Sequence, residues 1–148
     1  MISPRSIPPG DRIIDPMIAL AKCSAQHRIV VAGSKAVELM FDLHRRGFAR
    51  AAATANCGRA AGQYDVALVD WRRRPFRTLE PTLDWLVKFL DQAGVLVVWV
   101  EPQKASATEA LRLSLEKRGF IIESGTVNEC GCAVSARRRE HNPLRKAA

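Results

Sequence analysis

The sequence predicts a single α/β domain in which helices cover both faces of a mostly parallel sheet. Three observations indicate this fold class. Short β-branched runs alternate with longer segments whose apolar residues recur at helical spacing. The runs at residues 29–31 and 95–100 are apolar throughout, as expected of strands that are buried on both faces. Finally, the chain of 148 residues has the length of one domain.

The first part of the chain contributes one helix and one strand to this pattern. Residues 1–14 are predicted to form an irregular arm. Asp15 is a suitable N-cap and Pro16 suits the first position of a helix, so a short apolar helix is predicted to begin there. The β-branched run at residues 28–32 predicts a buried strand.

A second helix and two further strands follow. Over residues 34–46 the apolar period is helical, and Gly47 stands where a helix C-cap is expected. Residues 49–55 are a weaker strand prediction, because alanine has little preference for strands. A clear strand over residues 64–70 ends in the acid Asp70. The residues that set the helical period are Val37, Met40, Phe41 and His44.

The second half of the chain repeats the alternation and then changes it. A helix is predicted over residues 81–92, ended by Gly94, and the strongly apolar strand 95–100 follows. An S-x-x-E capping box at Ser106 predicts the start of a third core helix. Two strands joined by a short polar turn then form a terminal antiparallel hairpin. Its predicted strands are residues 120–124 and residues 130–136.

The composition is that of an ordinary globular protein, with 47% hydrophobic and 26% charged residues. No apolar run approaches the roughly 20 residues that cross a bilayer, and residues 1–10 have no apolar core of the kind found in secretory signals. We therefore expect a cytoplasmic protein with reduced thiols, and the lesser alternative is a metal site formed by the cysteines. These are Cys23, Cys57, Cys130 and Cys132.

The formal net charge of +8 favours anionic partners. Two basic runs carry much of this charge, at residues 71–77 and 137–139. We predict that the domain spans residues 15–138 and that residues 139–148 form a basic tail, disordered and solvated, with the second run belonging to that tail.

Four segments, in this order, resemble a known family: a strand ending in Gly33, a Tyr-Asp-Val-Ala-Leu-Val-Asp strand ending in Asp70, an Ala-Gly-Val-Leu-Val-Val segment from Ala93, and a helix that ends before Phe120. Together with the closing hairpin, they resemble the class I S-adenosylmethionine-dependent methyltransferases over about residues 15–138. The resemblance implies a Rossmann-like three-layer α/β/α sandwich.

The resemblance also implies a cofactor and a site. S-adenosylmethionine is the implied cofactor, with Gly33, Ser34 and Asn56 near it. Asp70 would lie near a methyl acceptor, which the resemblance does not specify, and its carboxylate could accept a proton from a hydroxyl or an amine. Two departures predict a degraded cofactor site: the first loop has one glycine where the family has several, and Asn56 stands where the family has an acid for the ribose hydroxyls.

Each of these site residues also has a purely structural interpretation. Gly33 would then only turn the chain, and Ser34 would cap the helix that follows. Asp70 would be an N-cap or would form a salt bridge with one of the arginines that follow it. The three histidines, His27, His44 and His141, show no spacing typical of metal ligands.

A second hypothesis is a non-catalytic Rossmann-like binding module that engages a nucleotide, a nucleic acid or a protein through a basic rim. Trp71 would stack on a base, and Arg72, Arg73 and Arg74 would clamp phosphate. The structural alternative is a solvated loop. If the protein forms an oligomer, a dimer is expected.

Other classes fit less well. Asp70 resembles the phosphorylated aspartate of response-regulator receiver domains, but the first strand ends in Ala32 and Gly33 where a receiver needs acids for magnesium. No nucleophile elbow, P-loop or H-E-x-x-H motif occurs, which argues against a hydrolase of those classes or a P-loop NTPase.

Overall fold

One six-stranded sheet, in the order β2-β1-β3-β4-β6-β5, forms the centre of the protein. The computed structural model describes residues 11–33, 35–53, 64–71, 76–100, 105–128 and 131–138. The strands are β1 (Ile29–Gly33), β2 (Ala51–Ala53), β3 (Tyr64–Asp70), β4 (Leu90–Val100), β5 (Phe120–Asn128) and β6 (Gly131–Arg138).

The strand directions confirm the predicted sheet. β1 pairs in parallel with β2 and β3, and β3 pairs in parallel with β4. β6 is antiparallel to both of its neighbours, β4 and β5, so it alone runs against the other strands. The terminal hairpin therefore places its antiparallel strand one position in from the edge strand β5.

Helices cover both faces of this sheet, which confirms the three-layer α/β/α sandwich. One apolar cluster joins α1 and α2 to one face, and a second cluster joins α3 and α4 to the other. A short 3₁₀ helix (Phe76–Thr78) precedes α3. The helices are α1 (Asp11–Ala21), α2 (Ala36–Arg45), α3 (Leu79–Phe89) and α4 (Ala105–Lys117).

Alternation of side chains along each strand explains why the central runs are apolar throughout. In β3, Val66 and Leu68 pack towards α1 and α2, while Ala67 and Val69 pack towards α3 and α4. A strand covered on both faces has no solvated side, so both sets of positions must be apolar.

The first helix begins earlier than predicted. α1 starts at Asp11, so Pro16 lies inside the helix and not at its first position. Proline in a helix removes one backbone hydrogen bond. Burial of Ile14 and Met17 against the sheet, at 1% and 0% exposure, holds the turn on either side of the proline.

α2 forms as predicted, but two of the residues that set its helical period are exposed to solvent. Val37 and Phe41 are 44% and 51% exposed, while Leu39 and Leu43 are buried against β1 and β2. The helix carries apolar residues around much of its circumference, so the spacing within it does not identify the face that packs on the sheet.

The boundary between α3 and β4 also differs from the prediction. The helix ends at Phe89 and the strand begins at once, so Gly94 lies within β4 and does not end a helix. Tyr64 pairs with Leu90 and Val66 pairs with Val95, so β4 contains three more residues than β3 between these pairs. The extra residues form an irregular segment at the start of β4.

Two of the three arginines of the second basic run belong to the sheet and not to a solvated tail. Arg137 and Arg138 lie in β6. The Nη1 atom of Arg138 donates to the carbonyl oxygens of Val87 at 3.1 Å and Leu90 at 2.8 Å, which satisfies acceptors at the end of α3.

Candidate functional site

The parallel strands β1, β3 and β4 end at one edge of the sheet, which we call the carboxyl edge. In open α/β sheets, ligands bind outside this edge, where the strand order reverses. Here β1 and β3 are adjacent, and β2 lies on the far side of β1, so the reversal falls between β1 and β3. Gly33 and Asp70 are the last residues of these two strands and pair with each other.

Gly33 makes an unusually close backbone approach to β3. Its φ is +112°, in the region that favours glycine, and a Cβ atom built on it would lie 1.9 Å from the carbonyl oxygen of Asp70. No side chain fits in that space without moving the backbone of one strand. Glycine is thus required at this position by the contact between β1 and β3, as well as by the turn.

Asp70 is a fully buried carboxylate at the end of a central strand, with 0% exposure. The strand register aligns it with Gly33 on one side and Trp99 on the other, and Trp99 is also fully buried. Among the described residues, no buried side-chain nitrogen or oxygen lacks a hydrogen-bond partner, so the Asp70 carboxylate is satisfied within the protein.

Two of the structural interpretations are wrong. The N-cap of α3 is Thr78, so Asp70 does not cap that helix. The N-cap of α2 is Lys35 and not Ser34, and the Lys35 side chain makes no capping hydrogen bond. The first turn of α2, three residues after Gly33, therefore receives no hydrogen bond from its N-cap side chain. Amide groups at such a helix start can bind an anionic group.

Trp71 faces inward. Its side chain is 5% exposed and packs in the cluster formed with α3 and α4, and its backbone N–H donates to the carbonyl oxygen of Trp99 at 2.8 Å. Stacking of Trp71 on a base would require the ring to leave this cluster. Arg77, at the end of the same basic run, is exposed.

Several predicted site residues lie outside the described part of the chain, so their predicted roles are neither supported nor opposed by the structure. They are Ser34, Asn56, Arg72, Arg73 and Arg74.

Two of the candidate metal ligands, Cys23 and His44, are held in structural positions. Burial raises the pKa of the Cys23 thiol to about 11, which makes it a poor nucleophile. The Nε2 atom of His44 lies 2.8 Å from the carbonyl oxygen of Ala51 and ties α2 to β2. Within the described ranges, no three His, Cys, Asp or Glu side chains come together in a group that could hold a metal ion.

Sequence reasoning missed a second group of polar residues, at the opposite edge of the sheet. There a cavity of about 260 Å³ lies between the end of α1 and the beginnings of β3 and β4. A signal was present in the sequence for Asp65, the second residue of the strand predicted over residues 64–70, whereas Asp91 falls in the helix predicted over residues 81–92. The charged or titratable residues of its wall are Lys22, His27, Asp65, Asp91 and Arg137.

No helix in the described ranges is long and apolar enough to span a membrane.

Comparison with known proteins identifies the fold. No protein-family model matches the sequence, and no curated protein matches it at a significant level. Solved structures do match. The [4+2]-cyclase SpnF superposes with a TM-score of 0.64 at 13% identity, covering 88% of this chain and 81% of SpnF.

Two methyltransferases give similar values. The Burkholderia thailandensis 1,6-didemethyltoxoflavin-N1-methyltransferase, solved with S-adenosylhomocysteine, has a TM-score of 0.60 at 12% identity and covers 88% of this chain and 78% of its own. A SAM-dependent methyltransferase from Aquifex aeolicus has a TM-score of 0.55 at 11% identity, covering 93% and 99%. The chain therefore has the class I SAM methyltransferase-like fold, as the order of its elements predicted.

Proposed function

We propose that the protein is a small S-adenosylmethionine-dependent methyltransferase that binds its cofactor at the carboxyl edge, between the ends of β1 and β3. The observation that carries the proposal is the sheet itself. Four parallel strands are followed by one antiparallel strand inserted beside the edge strand. Methyltransferases solved with S-adenosylhomocysteine or with S-adenosylmethionine superpose on this chain with TM-scores of 0.60 and 0.52.

The described residues at this edge fit such a cofactor in part. Gly33 turns out of β1 with a φ of +112°, and α2 begins three residues later without a capping bond from Lys35. A carboxylate group of the cofactor would be stabilised at the start of α2 by the amide groups and the helix dipole. Ser34 and Asn56 complete the proposed cofactor contacts, with the Asn56 amide in place of an acid at the ribose.

S-adenosylmethionine, when bound, supplies a methyl group on a positively charged sulfur. Asp70 is the residue that we place nearest the methyl acceptor. Removal of a carboxylate from water disfavours its charged form, and a protein retains such a group only where hydrogen bonds compensate it. Asp70 is such a group, and its position at the end of β3, beside the turn that precedes α2, supports a role in orienting the acceptor and in taking its proton.

The fold alone does not establish methyl transfer, because SpnF, with a TM-score of 0.64, is a [4+2]-cyclase. The alternative is a non-catalytic module that uses the basic rim of Trp71, Arg72, Arg73 and Arg74 to bind an anionic partner. Because Trp71 is buried, its ring is not available to stack on a base. This alternative therefore relies on phosphate binding by the arginines.

The test is calorimetric titration of the full chain with S-adenosylmethionine and S-adenosylhomocysteine. We expect dissociation constants on the order of 1–100 μM for an intact site. Asn56→Ala should weaken binding by about tenfold, through loss of a ribose hydrogen bond. Gln92→Ala is the matched control, because Gln92 is an exposed amide side chain at the opposite end of the sheet.

Gly33→Val is not a useful test of the cofactor site. The valine side chain would collide with the backbone of Asp70, so a loss of binding would report a loss of fold. If a folded protein binds neither ligand at about 1 mM, the cofactor assignment is wrong. Salt-sensitive binding to nucleic acid would then favour the alternative, because counterion release makes such binding weaken steeply with salt.

We also propose a cytoplasmic location, supported by the free thiol of Cys23, since reduced cysteines are the rule in that compartment. An anionic partner and a dimer stay predictions.

A further inference from the structure

The cavity at the amino edge, the edge of the sheet where β1, β3 and β4 begin, is separate from the site proposed above. Its wall includes Val66 of β3, whereas Asp70 ends that strand at the carboxyl edge. Four residue steps separate the two, about 13 Å along the strand. A ligand in this cavity would therefore not occupy the cofactor position, and the inference below does not rest on the proposed function.

An irregularity in β4 forms one wall of the cavity. The three residues that β4 contains in excess of β3, between the pairs Tyr64–Leu90 and Val66–Val95, interrupt the ladder at this point. Asp91 and Ala93 belong to the interrupted segment and both line the cavity. Irregularities of this kind redirect side chains and are common beside binding sites.

A strained residue forms a second wall. Lys22 follows the last residue of α1 with a φ of +54°, a conformation that glycine or asparagine normally provides at a helix end. Lysine is less stable there because its Cβ crowds the backbone. Lys22 is one of the residues that line the cavity, so the position carries a charged group where folding alone favours glycine.

Two further groups of the wall are held in place by hydrogen bonds. The backbone N–H of Ser24 donates to Nδ1 of His27 at 3.0 Å. The backbone N–H of Arg28 donates to Oδ2 of Asp65 at 2.8 Å. These groups need not be ordered when a ligand binds, which reduces the entropy lost on binding.

The charges of the wall identify the class of ligand. Lys22 and Arg137 are cations and Asp65 and Asp91 are carboxylates, so these four groups have no net formal charge. Their ion-pair partners outside the wall do not change this balance, because Arg28 pairs with Asp65 at 3.4 Å and Glu123 pairs with Arg137 at 3.1 Å. A simple anion or a simple cation would be attracted by one pair and repelled by the other. A ligand with one carboxylate and one ammonium group satisfies both. The volume of about 260 Å³ is below the roughly 300–1,000 Å³ typical of drug-sized ligands, which favours a small zwitterion.

We propose that the cavity at the amino edge binds a free α-amino acid, with its carboxylate towards Lys22 and Arg137 and its ammonium group towards Asp65 and Asp91.

The experiment is a titration of the ¹⁵N-labelled full chain with L-alanine, followed by the amide signals of the protein. Alanine should saturate with a dissociation constant below about 10 mM. The shifted amides should cluster at His27, Asp65, Ala93 and Val95, and those of Gly33 and Asp70 should not move. Acetate, methylammonium and inorganic phosphate are the single-charge probes, and each should bind at least about tenfold more weakly than alanine.

Lys22→Gly separates a binding role from a structural one. Glycine relieves the strained conformation, so the unfolding midpoint should stay the same or rise while alanine binding weakens by at least about tenfold. Lys117→Gly, the same exchange at the exposed last residue of α4, is the matched control and should leave binding unchanged. Asp91→Asn should weaken binding in the same way as Lys22→Gly.

Three results would each overturn the proposal. One is the absence of saturable shifts with alanine. Another is binding of acetate or phosphate that equals that of alanine, which would mark a plain anion site. The third is unchanged alanine affinity in a folded Lys22→Gly protein.

Discussion

The two edges of the sheet are built in opposite ways. At the carboxyl edge, Gly33 and Asp70 are in backbone contact with no room for a Cβ atom, and Asp70 and Trp99 are fully buried. At the amino edge, Asp91 and Arg137 are exposed, and β4 contains extra residues that open a cavity. One edge is fixed by close packing and the other by ion pairs and hydrogen bonds at the surface.

This difference predicts how each edge responds to substitution. A close-packed backbone cannot relax around an added atom, so a single added carbon displaces both of the strands in contact. Surface ion pairs are screened by water and lose little when one partner is removed. A change at the carboxyl edge should therefore affect the whole fold, and most changes at the amino edge should leave it intact.

The largest effect is expected from Gly33→Ala. The added Cβ would lie 1.9 Å from the carbonyl oxygen of Asp70, and alanine is also strained at a φ of +112°. We expect a loss of more than about 4 kcal/mol in the free energy of unfolding, measured by urea denaturation, which is a large part of the stability of a small domain.

Gly47→Ala is the matched control for this prediction. Gly47 has a φ of +94°, but a Cβ atom there would meet nothing within 4 Å. Its substitution should cost only the conformational strain, about 1–2 kcal/mol. Equal losses at the two glycines would show that strain and not backbone contact sets the requirement at Gly33.

An intermediate effect is expected within β6, where neighbouring arginines have different surroundings. Arg138 donates to two carbonyl oxygens at the end of α3, whereas Arg137 forms a half-exposed ion pair with Glu123 at 3.1 Å. Arg138→Ala should lower the free energy of unfolding by about 2 kcal/mol, and Arg137→Ala by less than about 1 kcal/mol. Equal losses in the free energy of unfolding for the two variants would show that the hydrogen bonds from Arg138 to the end of α3 do not stabilise the protein.

The smallest effect concerns acid stability at the amino edge. Burial alone would raise the pKa of Asp65, but hydrogen bonds from Arg28 and the charges of Arg28 and His27 bring it below the ordinary value of 3.8. The ionised carboxylate therefore stabilises the folded state at pH values above 3.8, and this contribution is lost as the pH falls below it. The wild-type protein should lose more stability on acidification through that range than Asp65→Asn does.

Because Asp65 is partly exposed, the difference should be below about 1 kcal/mol, measured by urea denaturation at a series of pH values. Arg28→Gln should reduce the acid-dependent loss in part, since the backbone N–H of Arg28 still donates to Asp65. An Asp65→Asn protein that loses stability on acidification as steeply as the wild type would contradict the assignment.

Much of the fold could be predicted because its central strands are buried on both faces. The run at residues 95–100 and the strand at residues 64–70 were identified from their apolar content, and both lie at the centre of the sheet. Gly47 was predicted to end α2. Its φ of +94° confirms this, because Gly47 directly follows the C-cap of the helix and has the positive φ that glycine favours there. Local sequence was enough where local and tertiary preferences agree.

The differences arose where packing against another element decides the outcome. The sequence of α2 offers two apolar faces, and contact with β1 and β2 selected Leu39 and Leu43 over Val37 and Phe41. Gly94 has the local character of a helix end, but pairing with β3 brings it into β4. At the candidate site, Gly33 and Asp70 were predicted, while their backbone contact depends on strands that are far apart in sequence.

The sequence by itself determined the alternation of strands and helices, the closing hairpin and the residues at the ends of the central strands, because periodicity and turn residues act over a few positions. Only the tertiary structure decided the faces of the helices, the burial of Asp70 and Trp71, and the cavity at the amino edge. These features depend on contacts between residues distant in the chain, and a local pattern of residue types does not specify them.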